Sequence, residues 1–79
     1  MRRKLPQPEE ILAAVHSRAG DGFCRVSDLE MAFRGTGRRD LMRALRRALN
    51  EGLLIERRQP DTRHVVSIAP EGWRVLRGG

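Results

Sequence analysis

Six arginines and a single acid, Asp40, share the fourteen residues from Arg34 to Arg47. On a wheel turning about 100° per residue, Leu41, Met42, Leu45, Ala48 and Leu49 fall within one arc of about 120°. Arg39, Arg43, Arg46, Arg47 and Asn50 fill the opposite arc. The pattern therefore fits an amphipathic helix with a cationic outer face. Thr36 is the expected N-cap, the helix is expected to run to about Glu51, and Gly52 is its stop, with Leu53 folding back.

That segment carries +5 of the chain's formal +6, so the charge is concentrated on one helix face. Solvated helix faces normally interleave both signs, which favours pairs three or four residues apart. Here like charges face each other at 39/43, 43/46 and 43/47, a mildly destabilising arrangement unless an anion neutralises it. Fifteen of the sixteen basic residues are arginine, whose planar fork suits two-point contact with phosphate or guanine. A GC-rich genome would also favour arginine over lysine, but it would not remove the charge. A polyanionic partner follows, nucleic acid first, with an acidic protein or membrane surface behind it.

The remaining elements are punctuated by proline and glycine. Pro8 fits the first position of a helix, Glu9 and Glu10 complement its positive end, and Gly20 stops it after Ile11, Leu12, Val15 and Ala19. Residues 23–26 read as a short extended piece. Ser27 and Glu30 form an S-x-x-E pattern flanked by Val26 and Met31, which predicts a capped and stapled helix from Asp28 to about Arg34. Gly35 is expected to take a left-handed cap. Leu53–Arg58 and Arg63–Ala69 read as strands joined by Gln59-Pro60-Asp61-Thr62, and Pro70 restarts a short helix that Gly72 weakens. The expected fold is mainly α with a small β hairpin. Three helices pack around Ile11, Leu12, Val15, Leu29, Phe33, Leu41, Leu45 and Leu49, followed by a two-stranded hairpin and a short C-terminal helix. Residues 1–7 form a basic arm and residues 8–77 the domain.

A helix of about seven residues, a glycine-containing turn and a longer helix together make a helix-turn-helix. The helix ending Leu49 to Leu54 matches L-x-x-G-L-[LI]. A basic hairpin spans Arg57 to His64, and a strand runs from Ile68 into Pro70-Glu71-Gly72. In these elements, over about residues 8–77, the chain resembles bacterial winged helix-turn-helix regulators of the MarR, PadR and ArsR kind. The resemblance implies that the Arg38–Asn50 helix (Arg38, Arg39, Arg43, Arg46, Arg47 and Asn50, with Thr36 before it) lies in the major groove of double-stranded DNA. It implies further that Arg57, Arg58, Arg63 and His64 on the hairpin touch backbone or minor groove. MarR and PadR proteins carry extra helices for dimerisation and ligand sensing; this sequence adds almost nothing to the core elements, so no sensory pocket is expected.

Sequence-specific transcription regulation is thus the leading expectation. A protein-binding adaptor and a DNA or RNA binder without sequence preference are the alternatives. Six arginines in fourteen residues exceed what an adaptor needs. A homodimer through the first helix and the segment carrying Trp73, Val75 and Leu76 would double the contacted length. Trp73 is expected to anchor against helix one, or otherwise to make that dimer contact. Enzyme chemistry finds little support: His16 reads as a helix-surface residue and His64 as a hairpin residue, with no gathered acid–base partners. One cysteine, Cys24, supplies neither a disulfide nor a metal pair, so no metal or cofactor is expected, and the thiol reads as a small buried residue. No apolar run reaches the roughly 18 residues of a membrane helix. A cytoplasmic, nucleoid-associated location is the corresponding expectation.

Overall fold

The computed structural model describes residues 5–58 and 64–78. Four helices surround a three-stranded antiparallel sheet: α1 (Pro8–Ala19), β1 (Cys24–Arg25), α2 (Val26–Ala32), α3 (Arg38–Asn50), β2 (Leu54–Arg58), β3 (His64–Ile68) and α4 (Pro70–Leu76). In α1, Pro8 occupies the first turn and the Gln7 N–H donates to Glu10 Oε1 at 2.9 Å, so the free end of the helix is closed by a Q-x-x-E pair. Ile11, Leu12 and Val15 are fully buried from this helix. At about 1.5–3 kcal/mol per buried aliphatic side chain, these three fasten α1 to the rest of the molecule.

Helix α2 begins two residues earlier than the S-x-x-E pattern predicts. Arg25 is its N-cap in extended conformation (φ −72°, ψ 140°), Ser27 lies inside the first turn, and Met31 is 65% exposed, so neither the capping box nor the staple forms. The helix also stops at Ala32, because Phe33 leaves helical geometry while donating its N–H to the Leu29 carbonyl. Thr36 is not a cap: its N–H donates to the Phe33 carbonyl across the turn, and Gly37 is the N-cap of α3. Gly35 does not take a positive φ. By contrast the end of α3 follows expectation. Gly52 has φ 76°, its N–H donates to the Leu49 carbonyl, and that of Leu53 reaches back to the Ala48 carbonyl, closing a Schellman turn.

The expected hairpin forms from β2 and β3, and the short extended piece, β1, joins it as a third strand. The strand order is β1-β3-β2, with Cys24 opposite Val66 and Arg25 opposite Val65 on one side, and Leu54 opposite Ile68 on the other. The central strand is buried from Val65 to Ile68, whereas β2 is exposed beyond Leu54. Leu54, Val66, Ile68 and Cys24 join the helices in one core; Phe33 and Leu49, expected within it, are only partly buried. Gly72 is a packing requirement rather than a flaw in α4. A Cβ there would clash with the Leu53 carbonyl and lie 2.8 Å from Ile68 Cγ2, so only glycine lets α4 cross the sheet this closely. Among the described residues, no helix is long and apolar enough to cross a membrane.

Candidate nucleic-acid interface

Helix α3 buries Leu41, Ala44, Leu45 and Ala48, while Met42 and Leu49 sit half-buried at the border. The small Ala44 is part of the buried face, which rotates the helix slightly from the sequence-based wheel. The direction pointing straight away from the core is then shared by Arg39, Arg43, Arg46 and Asn50, all exposed. They form one stripe spanning twelve residues, about 16 Å from first to last at the helical rise of about 1.5 Å per residue.

The two remaining arginines of α3 flank this stripe, and both are held. Arg38 Nε lies 3.1 Å from Glu30 Oε2 of α2 in an ion pair, and Arg47 Nε donates to Glu51 Oε2 at 3.0 Å. These are exposed pairs, and each adds little stability. Their effect is on orientation, since they pull the flanking guanidinium groups sideways. Arg39, Arg43 and Arg46 have no carboxylate partner among the described residues. The face therefore has three uncompensated cations at its centre and two compensated ones at its edges.

The hairpin residues are divided by the register. Arg58 stands opposite His64, on the sheet face that carries Leu54 and Val66 toward the helices. Arg57, opposite Val65, belongs to the other face, where its guanidinium lies 5.1 Å from the centroid of the Phe23 ring. A cation over an aromatic face is a self-satisfied arrangement worth about 0.5–1 kcal/mol at an exposed site, so Arg57 is already engaged within the chain. His64 is engaged too: its Nε2 contacts the Glu56 carboxylate across the strands. Arg63 lies outside the described residues. Of the eleven positions singled out from sequence, Arg39, Arg43, Arg46 and Asn50 form one surface, Arg38 and Arg47 border it, and Thr36 is half-buried in the turn leading to it.

Sequence reasoning missed three neighbours of this surface, Arg25, Ser27 and Glu30, which surround a cleft beside the start of α3. The S-x-x-E spacing marks Ser27 and Glu30 as a helix start and not as part of a site, and Arg25 reaches the cleft only because β1 pairs with β3. Elsewhere, Trp73 packs its ring edge-to-face with that of His16 on α1, centroids 5.4 Å apart, as an anchor on helix one would. Cys24 is 2% exposed, and burial, reinforced by the nearby Asp28 carboxylate, pushes its thiol pKa up, so the thiolate is disfavoured. Among the described residues no cluster of histidine, cysteine or carboxylate side chains could hold a metal ion. Among the described residues the large exposed apolar side chains are Phe23, Met31 and Ile55, none of them on α1 or α4. Comparison of the chain with protein-family models, with curated proteins and with solved structures finds no match.

Proposed function

We propose that this chain is a winged helix-turn-helix protein that binds double-stranded DNA and regulates transcription by reading sequence. In this reading α2 and α3 are the helix-turn-helix, α3 lies in the major groove, and β2 and β3 with their connection are the wing. The observation that carries it is the outward stripe of Arg39, Arg43, Arg46 and Asn50, three cations without carboxylate partners among the described residues and an amide. Arginine can donate two hydrogen bonds to guanine, and asparagine can pair with adenine, on a helix narrow enough for a groove about 12 Å wide. The stripe has no aromatic side chain on which unstacked bases could lie, which favours duplex over single strands. The role is binding rather than catalysis, on the nucleoid of a cytoplasm. A two-fold dimer through α1 and the Trp73 segment would let the protein read a palindrome.

A gel-shift with a randomised duplex pool, followed by sequencing of the bound fraction, tests the reading. An enriched motif is the expected result. Even recovery of all sequences would make the protein a non-specific binder, and absence of any shifted duplex would overturn DNA binding and favour an acidic protein partner.

A further inference from the structure

A solvent-open cleft of about 290 Å³ adjoins the arginine stripe where α2, the start of α3 and the start of β3 meet. Val26 and Met42 supply its apolar lining; Arg25, Ser27, Arg38 and His64 face it with donors, and Glu30 with a carboxylate. That carboxylate is occupied by Arg38 at 3.1 Å, and His64 by Glu56, whereas Arg25 is exposed with no carboxylate partner among the described residues. Two guanidinium groups and a hydroxyl are thus set against one carboxylate, and the surplus is cationic.

We propose that this cleft seats one phosphate of the duplex backbone, held by Arg25, Ser27 and Arg38, and that Glu30 is the placeholder anion occupying Arg38 in the free protein. The proposal rests on the duplex-binding reading and adds residues to it that lie outside the arginine helix. A helix inserted in the major groove has phosphates along its flanks, and Arg38 is the flank residue next to this cleft. A phosphodiester and a carboxylate each carry one negative charge, so Arg38 exchanges one ion pair for another. Arg25 contributes the net gain, because it gives up no internal partner. In the free protein the Glu30 carboxylate competes with the phosphate for Arg38, so neutralising it frees Arg38 for the duplex.

The test uses the full chain and a duplex of mixed sequence in which single phosphates are replaced by neutral methylphosphonates. The parent chain is expected to lose affinity at one phosphate beside each occupied groove. Arg25→Ala should lose that sensitivity and lower the log–log salt slope by about 0.9. Glu30→Gln, which keeps size and helix propensity, should tighten duplex binding by about threefold, the effect of one exposed charge. An unchanged slope in Arg25→Ala together with unchanged affinity in Glu30→Gln would overturn the seat while leaving DNA binding by α3 intact. Loss of all duplex binding by the parent chain would overturn the functional reading and the seat with it. Inorganic phosphate titrated into the free protein distinguishes the source. If it shifts the Arg25 and Ser27 amide resonances while no methylphosphonate position matters, the cleft belongs to free phosphate and the backbone seat is wrong.

Discussion

Helices α1 and α3 are nearly equal in length, pack against the same core and differ almost entirely in what they show to solvent. On α1, Glu9 and Glu10 lie at the positive end of the helix dipole and Arg18 near the negative end, and Glu10 also closes the first turn. Each charge there favours the helix that carries it. On α3, Arg38 and Arg39 stand at the positive end, opposed to the dipole, with Asp40 the one acid of that first turn and Glu30 of α2 paired to Arg38. Arg43 faces Arg39, Arg46 and Arg47 one turn away. One surface is arranged for its own helix, while the other carries charge at that helix's expense, as a surface kept for an anionic partner does.

The largest effect separating the two helices is expected from charge reversal. Arg39→Glu with Arg43→Glu should lower duplex affinity by more than about a hundredfold, as several phosphate-strength contacts turn repulsive. Arg18→Glu on α1 should change it by less than about twofold. Electrophoretic titration measures both, and unchanged thermal melting would show that the fold is retained, since all three side chains are exposed. Equal losses from the two helices would erase the distinction.

A smaller effect divides α3 from the hairpin. Arg43→Ala should cost about 1–3 kcal/mol on the preferred duplex beyond its cost on a scrambled one, because a two-point contact to guanine is lost. Arg58→Ala should weaken both duplexes alike and reduce the salt slope by about 0.9, as a lost phosphate contact does. Binding isotherms of each variant on both duplexes across a salt series decide the matter. If Arg43→Ala loses the same factor on both, its contact is to phosphate.

The smallest effect concerns the protein without DNA. Arg43→Gln relieves three like-charge neighbours and should stabilise the free chain by a few tenths of a kcal/mol for each. Arg18→Gln should bring no gain. Denaturant titration at low salt, with salt addition reducing the difference, reads it directly.

The helices were legible because their ends are chemical. Pro8, Gly20, Gly52 and Pro70 each forbid or permit a backbone conformation locally, and α1, α4 and the end of α3 lie where those residues direct. The stripe was legible as well, since helical period sorts leucine from arginine without tertiary information. What failed were features decided across the chain. Ser27 and Glu30 have the spacing of a capping box, but Arg25 pairs with Val65, which brings the extended chain to its end one residue before Val26 turns helical. Glu30 is left for Arg38, eight residues on, at a spacing that no single helix provides. The true box, Gln7 with Glu10, went unread because glutamine is an uncommon N-cap. Which arginines are compensated, and hence which centre the surface, depended on these pairings.

Strand β1 is only two residues long, yet it joins Cys24 to Val66 across the whole helix-turn-helix. That clasp makes the sheet a closing device for the chain. Both outer strands pair only with β3, so neither β1 nor β2 has a sheet partner until residues 64–68 are in place. Pairing Cys24 with Val66 closes a loop that contains the whole helix-turn-helix, at an entropic cost that grows only slowly with loop length. A chain cut before His64 would therefore lose the tie between β1 and the rest of the sheet, and with it the fixed placement of Arg25 beside the arginine helix.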